Sequence, residues 1–339
     1  MKKYLGAALF LALSAIIASP GAAQLRINGY FSFGAVQGPQ GLEAEAWSLE
    51  NLRGGLFFSG EWAAGFSYTI EPTFGSGGRL DLSQAWMGFA FSPAIGLKAG
   101  LFFVPFGRYN SARRPYETRL ISDPDPIGAA FPADWRELGL LAEARFGNFN
   151  LAVFAGNGLA EAAEFGGGQQ FRDNNGNKGW GGRLGVSLSA SFEIGGSYYS
   201  GRADVLNQRA IKMIGADASW STPNIRASGE YVKTTIDNPA AFGRGEAEGW
   251  FGLLELVFDR WTPLASYQRL RYDDPFHGLS FAGPEIPGAG IFRDGTRWVF
   301  GLAYNLHPNI LLKIEYDRRR ESGAGRWTST LRAQAAAHF

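Results

Sequence analysis

Cysteine is absent from this 339-residue chain. That excludes disulfides, thiolate metal sites and cysteine nucleophiles. Histidine occurs only at His277, His307 and His338, with no His-x-x-x-His pair and no spacing suggestive of a Ser/His/Asp set. Lysine is scarce as well, seven residues with Lys2 and Lys3 among them. After the first residues, no apolar run approaches the ~20 residues that a transmembrane helix needs. Neither sign of charge dominates, with 32 basic and 31 acidic residues, so nothing points to a nucleic-acid partner.

The chain begins like an exported protein. Lys2 and Lys3 precede the short apolar stretch Leu5 to Ile17, and Gly21, Ala22 and Ala23 form a small-residue cleavage site. Residues 1–23 are thus expected to be a signal peptide, removed before Gln24, and 24–339 a single domain. The remaining chain would carry 30 basic residues (32 less Lys2 and Lys3) against 31 acidic ones.

Period two dominates that domain. Leu25, Ile27, Phe31 and Phe33 alternate with Arg26, Asn28, Tyr30 and Ser32. Leu138, Leu140, Ala142, Ala144 and Phe146 alternate with Glu137, Gly139, Leu141, Glu143 and Arg145. Ile310, Leu312 and Ile314 oppose Lys313, Glu315, Asp317 and Arg319. Sixteen such segments are joined alternately by very short and by longer connections. The short joints are Ser59-Gly60, Ser92-Pro93-Ala94, Gly147-Asn148, Ala190-Ser191, Thr222-Pro223, Asp259-Arg260 and His307-Pro308-Asn309. An even strand count with tight turns at one end and larger loops at the other describes a closed antiparallel transmembrane β-barrel. The fold expected is therefore all-β, a 16-stranded barrel in the outer membrane of a Gram-negative bacterium.

Orientation follows from energy. A Lys or Arg facing lipid at the midplane costs about 2–4 kcal/mol, so the charged parity should face the lumen. Counted this way, the inward cations are Arg26, Arg53, Lys98, Arg145, Arg183, Lys212, Arg226, Arg269, Arg271, Arg297, Lys313, Arg319 and Arg332. The inward acids are Glu71, Glu137, Glu143, Glu193, Glu230, Glu255, Glu315 and Asp317. Strands four, ten and thirteen mix parities and are expected to carry bulges. Trp135, Trp180, Trp250, Trp298 and Trp327 would form an aromatic belt at the loop end, and Trp62, Trp220 and Trp261 one at the turn end. A soluble β-sandwich is the alternative, but two aromatic belts and many small residues on the apolar parity argue against it.

The longest connection follows strand five, from Gly107 to Asp134. Loops of this size are usually functional or disordered. Arg108, Arg113, Arg114 and Arg119 offer fixed positive charge, while Glu117, Asp123 and Asp125 offer the opposite sign. Pro115, Pro124, Pro126 and Pro132 stiffen its path. Folded inward, the loop would constrict a lumen that sixteen strands otherwise leave open. Left outside, its arginines would meet lipopolysaccharide or neighbouring acids. The inward path is expected, and with it a loss of anion preference when Arg113 and Arg114 are both replaced by alanine.

The run GLKAGLFFVPFGRYN, with FPADWRELGLLAEARFG after the loop, resembles the phosphate-selective porin O/P family. The shared positions are Gly100, Pro105, Phe106, Gly107, Glu137, Leu138 and Gly139. The resemblance implies a trimeric barrel that takes up anionic solutes, phosphate or polyphosphate in its best-known members. The final strand ends at Phe339, similar to the assembly signal that the barrel assembly machinery reads in outer-membrane barrels. Few lysines line the expected lumen, so a weak to moderate anion preference is expected rather than strict phosphate selectivity. No catalytic set, cofactor or metal site is expected; Asp173-Asn174-Asn175-Gly176-Asn177 reads as solvated loop. A barrel enzyme, an adhesion barrel and an energy-coupled transporter each lack their marks: a nucleophile with its base, a specialised loop surface, or a plug before strand one. The expectation is a passive channel for small hydrophilic solutes, set in outer-membrane lipid and lipopolysaccharide.

Overall fold

In the computed structural model, strand pairing closes on itself. The structure describes residues 25–38, 47–63, 65–75, 78, 80–162, 165–238, 244–273, 293–323 and 325–339. The expected leader and the greater part of the loop after strand thirteen, with His277, lie outside them. The first eight strands are β1 (Arg26–Gln37), β2 (Ser48–Ala63), β3 (Phe66–Gly75), β4 (Leu80–Ser92), β5 (Ile95–Phe103), β6 (Arg136–Phe146), β7 (Phe149–Gly156) and β8 (Gly179–Ser189). The second eight are β9 (Phe192–Arg202), β10 (Ala210–Ser221), β11 (Ile225–Ile236), β12 (Gly245–Leu256), β13 (Trp261–Asp273), β14 (Gly295–His307), β15 (Ile310–Glu321) and β16 (Thr328–His338). Each pairs antiparallel with its sequence neighbours, and β1 pairs with β16 to complete a closed sixteen-strand barrel. Closure leaves no edge strand with orphaned backbone groups, the condition for crossing hydrocarbon with strands. Phe339 finishes the seam: its N–H donates to the Gly29 carbonyl at 2.9 Å, and the Gly29 N–H returns to its carbonyl at 3.1 Å.

Side chains alternate as the period requires. On β15, Leu311, Lys313, Glu315 and Asp317 are buried while Leu312, Ile314 and Tyr316 are exposed. On β1, Tyr30 and Ser32 are buried while Ile27, Phe31 and Phe33 are exposed. The outward residues form an apolar sleeve, and Trp180, Trp250, Trp298 and Trp327 lie exposed among them.

Four readings of the sequence are corrected. The first turn falls after the end of β2, not at Ser59-Gly60: those two pair with Thr69 and Tyr68, and Gly65 supplies the positive φ of +88° that the turn needs. Lys212, Arg269 and Arg271 project outward, because their strand neighbours Ile211, Met213, Gln268 and Leu270 are the buried parity. Of the three strands expected to bulge, β4 shows register shifts, whereas β10 and β13 pair without one. Finally, Trp135 is fully buried and belongs to no belt.

Candidate functional site: a loop tied across the lumen

The sequence Pro105-Phe106-Gly107 turns the chain away from the wall. Phe106 is buried, with its ring centroid 5.3 Å from Phe131 and 5.6 Å from Trp135. Gly107 follows with φ of +65°. Its N–H donates to Ser197 Oγ on β9 at 3.0 Å, and the N–H groups of Arg108 and Tyr109 converge on Glu230 Oε1 of β11 at 2.5 and 2.6 Å. A side chain at Gly107 would collide with that carboxylate. Asn110 then joins the two ends of the loop. Its Nδ2 donates to the carbonyls of Val104 and Trp135, and its Oδ1 accepts from the Trp135 N–H, all at 2.9 Å.

From there the chain reaches the opposite wall. Arg114 donates to both carboxylate oxygens of Glu71 on β3, at 2.9 and 3.1 Å, and pairs with Glu117 at 3.3 Å. Its guanidinium carbon lies 4.8 Å from the ring of Phe57, a cation–π contact. The ring of Tyr116 stacks on that of His338 in β16, centroids 4.7 Å apart. Lys313 on β15 donates to three loop carbonyls, Pro115 at 2.9 Å, Leu120 at 3.2 Å and Thr118 at 3.3 Å. Two residues along, Glu315 accepts the N–H groups of Ile121 at 2.7 Å and Ser122 at 3.3 Å, and also the Ser122 hydroxyl.

The returning limb is tied in the same way. Arg297 on β14 donates to the Asp123 carbonyl at 3.1 Å and to Asp125 Oδ1 at 3.2 Å. Gln268 of β13 accepts the Asp125 N–H at 2.8 Å, and Thr234 of β11 donates to the Ala130 carbonyl. Strands this far apart around the ring share one loop only if it runs through the interior. The ties made to loop N–H and C=O groups each also satisfy a backbone group that would otherwise be buried unpaired, at about 1–3 kcal/mol apiece.

These contacts redistribute the expected charges. Arg297, Lys313 and Glu315 do point inward, but the loop covers them, leaving 5%, 4% and 1% exposed. They anchor the loop rather than line open water. Arg113 is buried too, paired with Asp123 and with Asp134 at 3.1 Å. Removing Arg113 and Arg114 would therefore untie the loop as well as remove positive charge. Burial raises the Asp134 carboxyl, but Arg113, Arg53 and Arg136 outweigh it and hold the group below the ordinary aspartate range. Burial and the neighbouring Glu117 push the Tyr116 hydroxyl up to about 12.

Below the loop, toward the short turns, a cavity of about 1030 Å³ opens. Lys98, Arg108, Arg114, Arg145, Arg183 and Arg226 line it, with Glu143, Glu230 and Glu255. Lys98 pairs with Glu143 at 2.6 Å, Arg108 with Glu193 at 2.6 Å, and Arg183 with Glu193 and Asp217 at 2.8 and 2.5 Å. Arg53 pairs with Asp134 at 3.3 Å, and Arg26 lies exposed at the turn end of β1. Among the described residues, Arg119 and Arg145 face no carboxylate within ion-pair distance, and Arg226 meets Glu255 only at 3.9 Å. Burial lowers the Arg119 guanidinium below its usual value, with Arg226 adding to the effect and Glu255 opposing it. Asn110, Gln268, Ser197 and Thr234 escaped the sequence reading. Of these only Asn110, three residues after the motif glycine Gly107, carries a signal in the sequence.

Comparison with known proteins agrees with this architecture. Residues 7–324 match the family model described as Gram-negative porin. No curated protein sequence matches. Among solved structures, the outer-membrane channel DcaP of Acinetobacter baumannii superposes with a TM-score of 0.66 at 12% identity, covering 95% of this chain and 99% of that one. OmpT of Vibrio cholerae, in its trimer form, gives 0.66 at 9% identity over 94% of this chain and 100% of its own. Salmonella typhi OmpF, in complex with daunomycin, gives 0.65 at 11% identity, over 95% and 99%. At such identities the superpositions speak for the fold alone; the family match covers most of the sequence. The chain belongs to the Gram-negative porin family and is an outer-membrane channel protein.

Proposed function

We propose that the channel is passive, that the loop over 104–135 sets its constriction, and that it passes small hydrophilic solutes with a weak to moderate preference for anions. The observation that carries this reading is the loop itself, tied to β3, β11, β13, β14 and β15 and bordering an open cavity on its turn side. The preference is weak because so many cations there already face an acid. What remains is the positive charge of Arg119, Arg145 and Arg226, with exposed Arg26 near the turn-side mouth. A residual field of ~0.4–1 kcal/mol per monovalent ion corresponds to a chloride-over-potassium permeability ratio of about two to five. Reversal potentials across a planar bilayer in a potassium chloride gradient measure it directly. A cation-favouring potential would refute the reading.

A narrower reading, a channel specific for phosphate, polyphosphate or small organic anions, has the motif around Gly100, Pro105–Gly107 and Glu137–Gly139 behind it. Block of chloride current by low-millimolar phosphate would favour it. Under either reading, residues 1–23 are the leader removed on export and 24–339 the mature barrel. We also propose a homotrimer, by analogy with the trimer form of Vibrio cholerae OmpT. Phe339 serves as the signal read by the barrel assembly machinery, and the outward face meets outer-membrane lipid and lipopolysaccharide. The reading assigns the chain no enzymatic reaction.

A further inference from the structure

On the outside of the barrel, at its loop end, a recess of about 500 Å³ lies between the wall of β8–β11 and the loops above. That volume falls in the range of small-molecule sites, about 300–1,000 Å³. Its floor is a transverse row in register: Trp180 pairs with Ser200, and Ser200 with Lys212. All three project away from the lumen, since Tyr199, Ile211 and Met213 on the intervening parity are buried inside. Trp180 is 52% exposed, as suits a ring at a membrane interface.

Above this row stand Lys178, Arg202 and Arg244, so four cations surround the recess, and among the described residues Asp237 is the single acid lining it. Asp237 is occupied by Arg244 Nε at 3.1 Å, and Lys178 is held by Asp173. Arg202 spends one nitrogen on the Asn207 carbonyl at 2.7 Å. Among the described residues, neither Arg202 nor Lys212 has a carboxylate within ion-pair distance. Two cations placed over a tryptophan on the hydrocarbon side of the wall do nothing for solutes in the lumen. Lys212 on that face would cost about 0–1 kcal/mol near an interface and more at depth, which favours headgroup height for this row.

We infer that this recess binds a phosphate-bearing headgroup of an outer-leaflet lipid, with Lys212 and Arg202 contacting the phosphate and Trp180 the start of the acyl region. Arginine and lysine meet phosphate through charge-assisted hydrogen bonds, which are about twice as strong as neutral ones. The inference deepens the lipid contact proposed above and rests on it.

Native mass spectrometry of the full mature chain in detergent, titrated with bisphosphorylated lipid A, tests it. Wild type should retain one lipid A per chain. A Lys212→Gln, Arg202→Gln double variant should bind about tenfold more weakly. Its single-channel conductance should be unchanged, since neither residue enters the lumen, and that confirms an intact barrel. Lipid A stripped of its phosphates should bind wild type as weakly as the double variant binds the intact lipid. Equal retention by wild type and variant would overturn this site while leaving the broader lipid contact standing. A wild type that retains no lipid A would overturn both. Protection of the site by inorganic phosphate to the same degree as by lipid A would assign it to a soluble anion and overturn the lipid inference.

Discussion

Replacing Lys313 with methionine should raise single-channel conductance roughly twofold, with added current noise, while the barrel still folds. Methionine keeps much of the length and the apolar stem but cannot donate. The carbonyls of Pro115, Leu120 and Thr118, now 2.9–3.3 Å from Nζ, would then be buried without a partner. Three orphaned acceptors cost about 1–3 kcal/mol each. The segment relaxes by swinging those carbonyls into the water of the lumen, which widens the passage. Adding Glu315→Gln weakens the neighbouring clamp on Ile121 and Ser122 and should enlarge the effect. Planar-bilayer recording checks the conductance, and heat-modifiable gel mobility checks that the barrel is intact. Unchanged conductance in the folded double variant would mean that this clamp does not set the aperture.

Gly100→Val should destabilise the folded barrel strongly and lower its urea midpoint. Gly100 has a φ of +129° in the middle of β5, where an L side chain is strained whatever the space. Its added Cβ would also collide with the Ala85 carbonyl oxygen and lie 2.8 Å from the Trp86 Cα. Both atoms belong to the backbone of β4 and cannot rotate aside. Strain and overpacking together amount to about 3 kcal/mol or more. Gly96→Ala on the same strand is the matched control. There the nearest atom stands 3.6 Å away and φ is ordinary, so folding should be unaffected. Urea titrations of both variants, followed by tryptophan fluorescence, give the comparison. Equal midpoints would show that β4 and β5 can separate at little cost.

The strand pattern was legible because hydrocarbon penalises a misplaced charge so strongly. A one-residue slip of β15 would turn Lys313, Glu315 and Asp317 into lipid together, so parity left a single orientation. The same argument misled at the rim. Near an interface the penalty falls to about 0–1 kcal/mol, so charge no longer reports direction, and Lys212, Arg269 and Arg271 were placed inside. Alternation likewise separates inward from outward but cannot tell lumen water from a covering loop. Lys313 and its partner carbonyl at Pro115 are 198 positions apart, and no local spacing encodes that meeting. Trp135 misleads for a related reason: a ring at a strand end looks the same in sequence whether lipid or Phe106 and Tyr199 will cover it. The motif glycines were legible by resemblance, and the geometry supplies their cause. Gly107 turns the loop inward against Glu230, and Gly100 lets β5 approach β4.

The loop crossing the lumen is what the constriction depends on most, and a chain without cysteine offers a clean background for testing it. A Tyr116→Cys, His338→Cys pair, treated with a short thiol crosslinker in the folded protein, should be joined within one chain and stay unjoined after unfolding in urea. The two rings now stack at 4.7 Å, well within the reach of such a reagent. If the pair resists crosslinking while the thiol introduced at position 116 reacts freely with a bulky reagent too large to enter the channel, the loop stands outside the barrel and the account is contradicted.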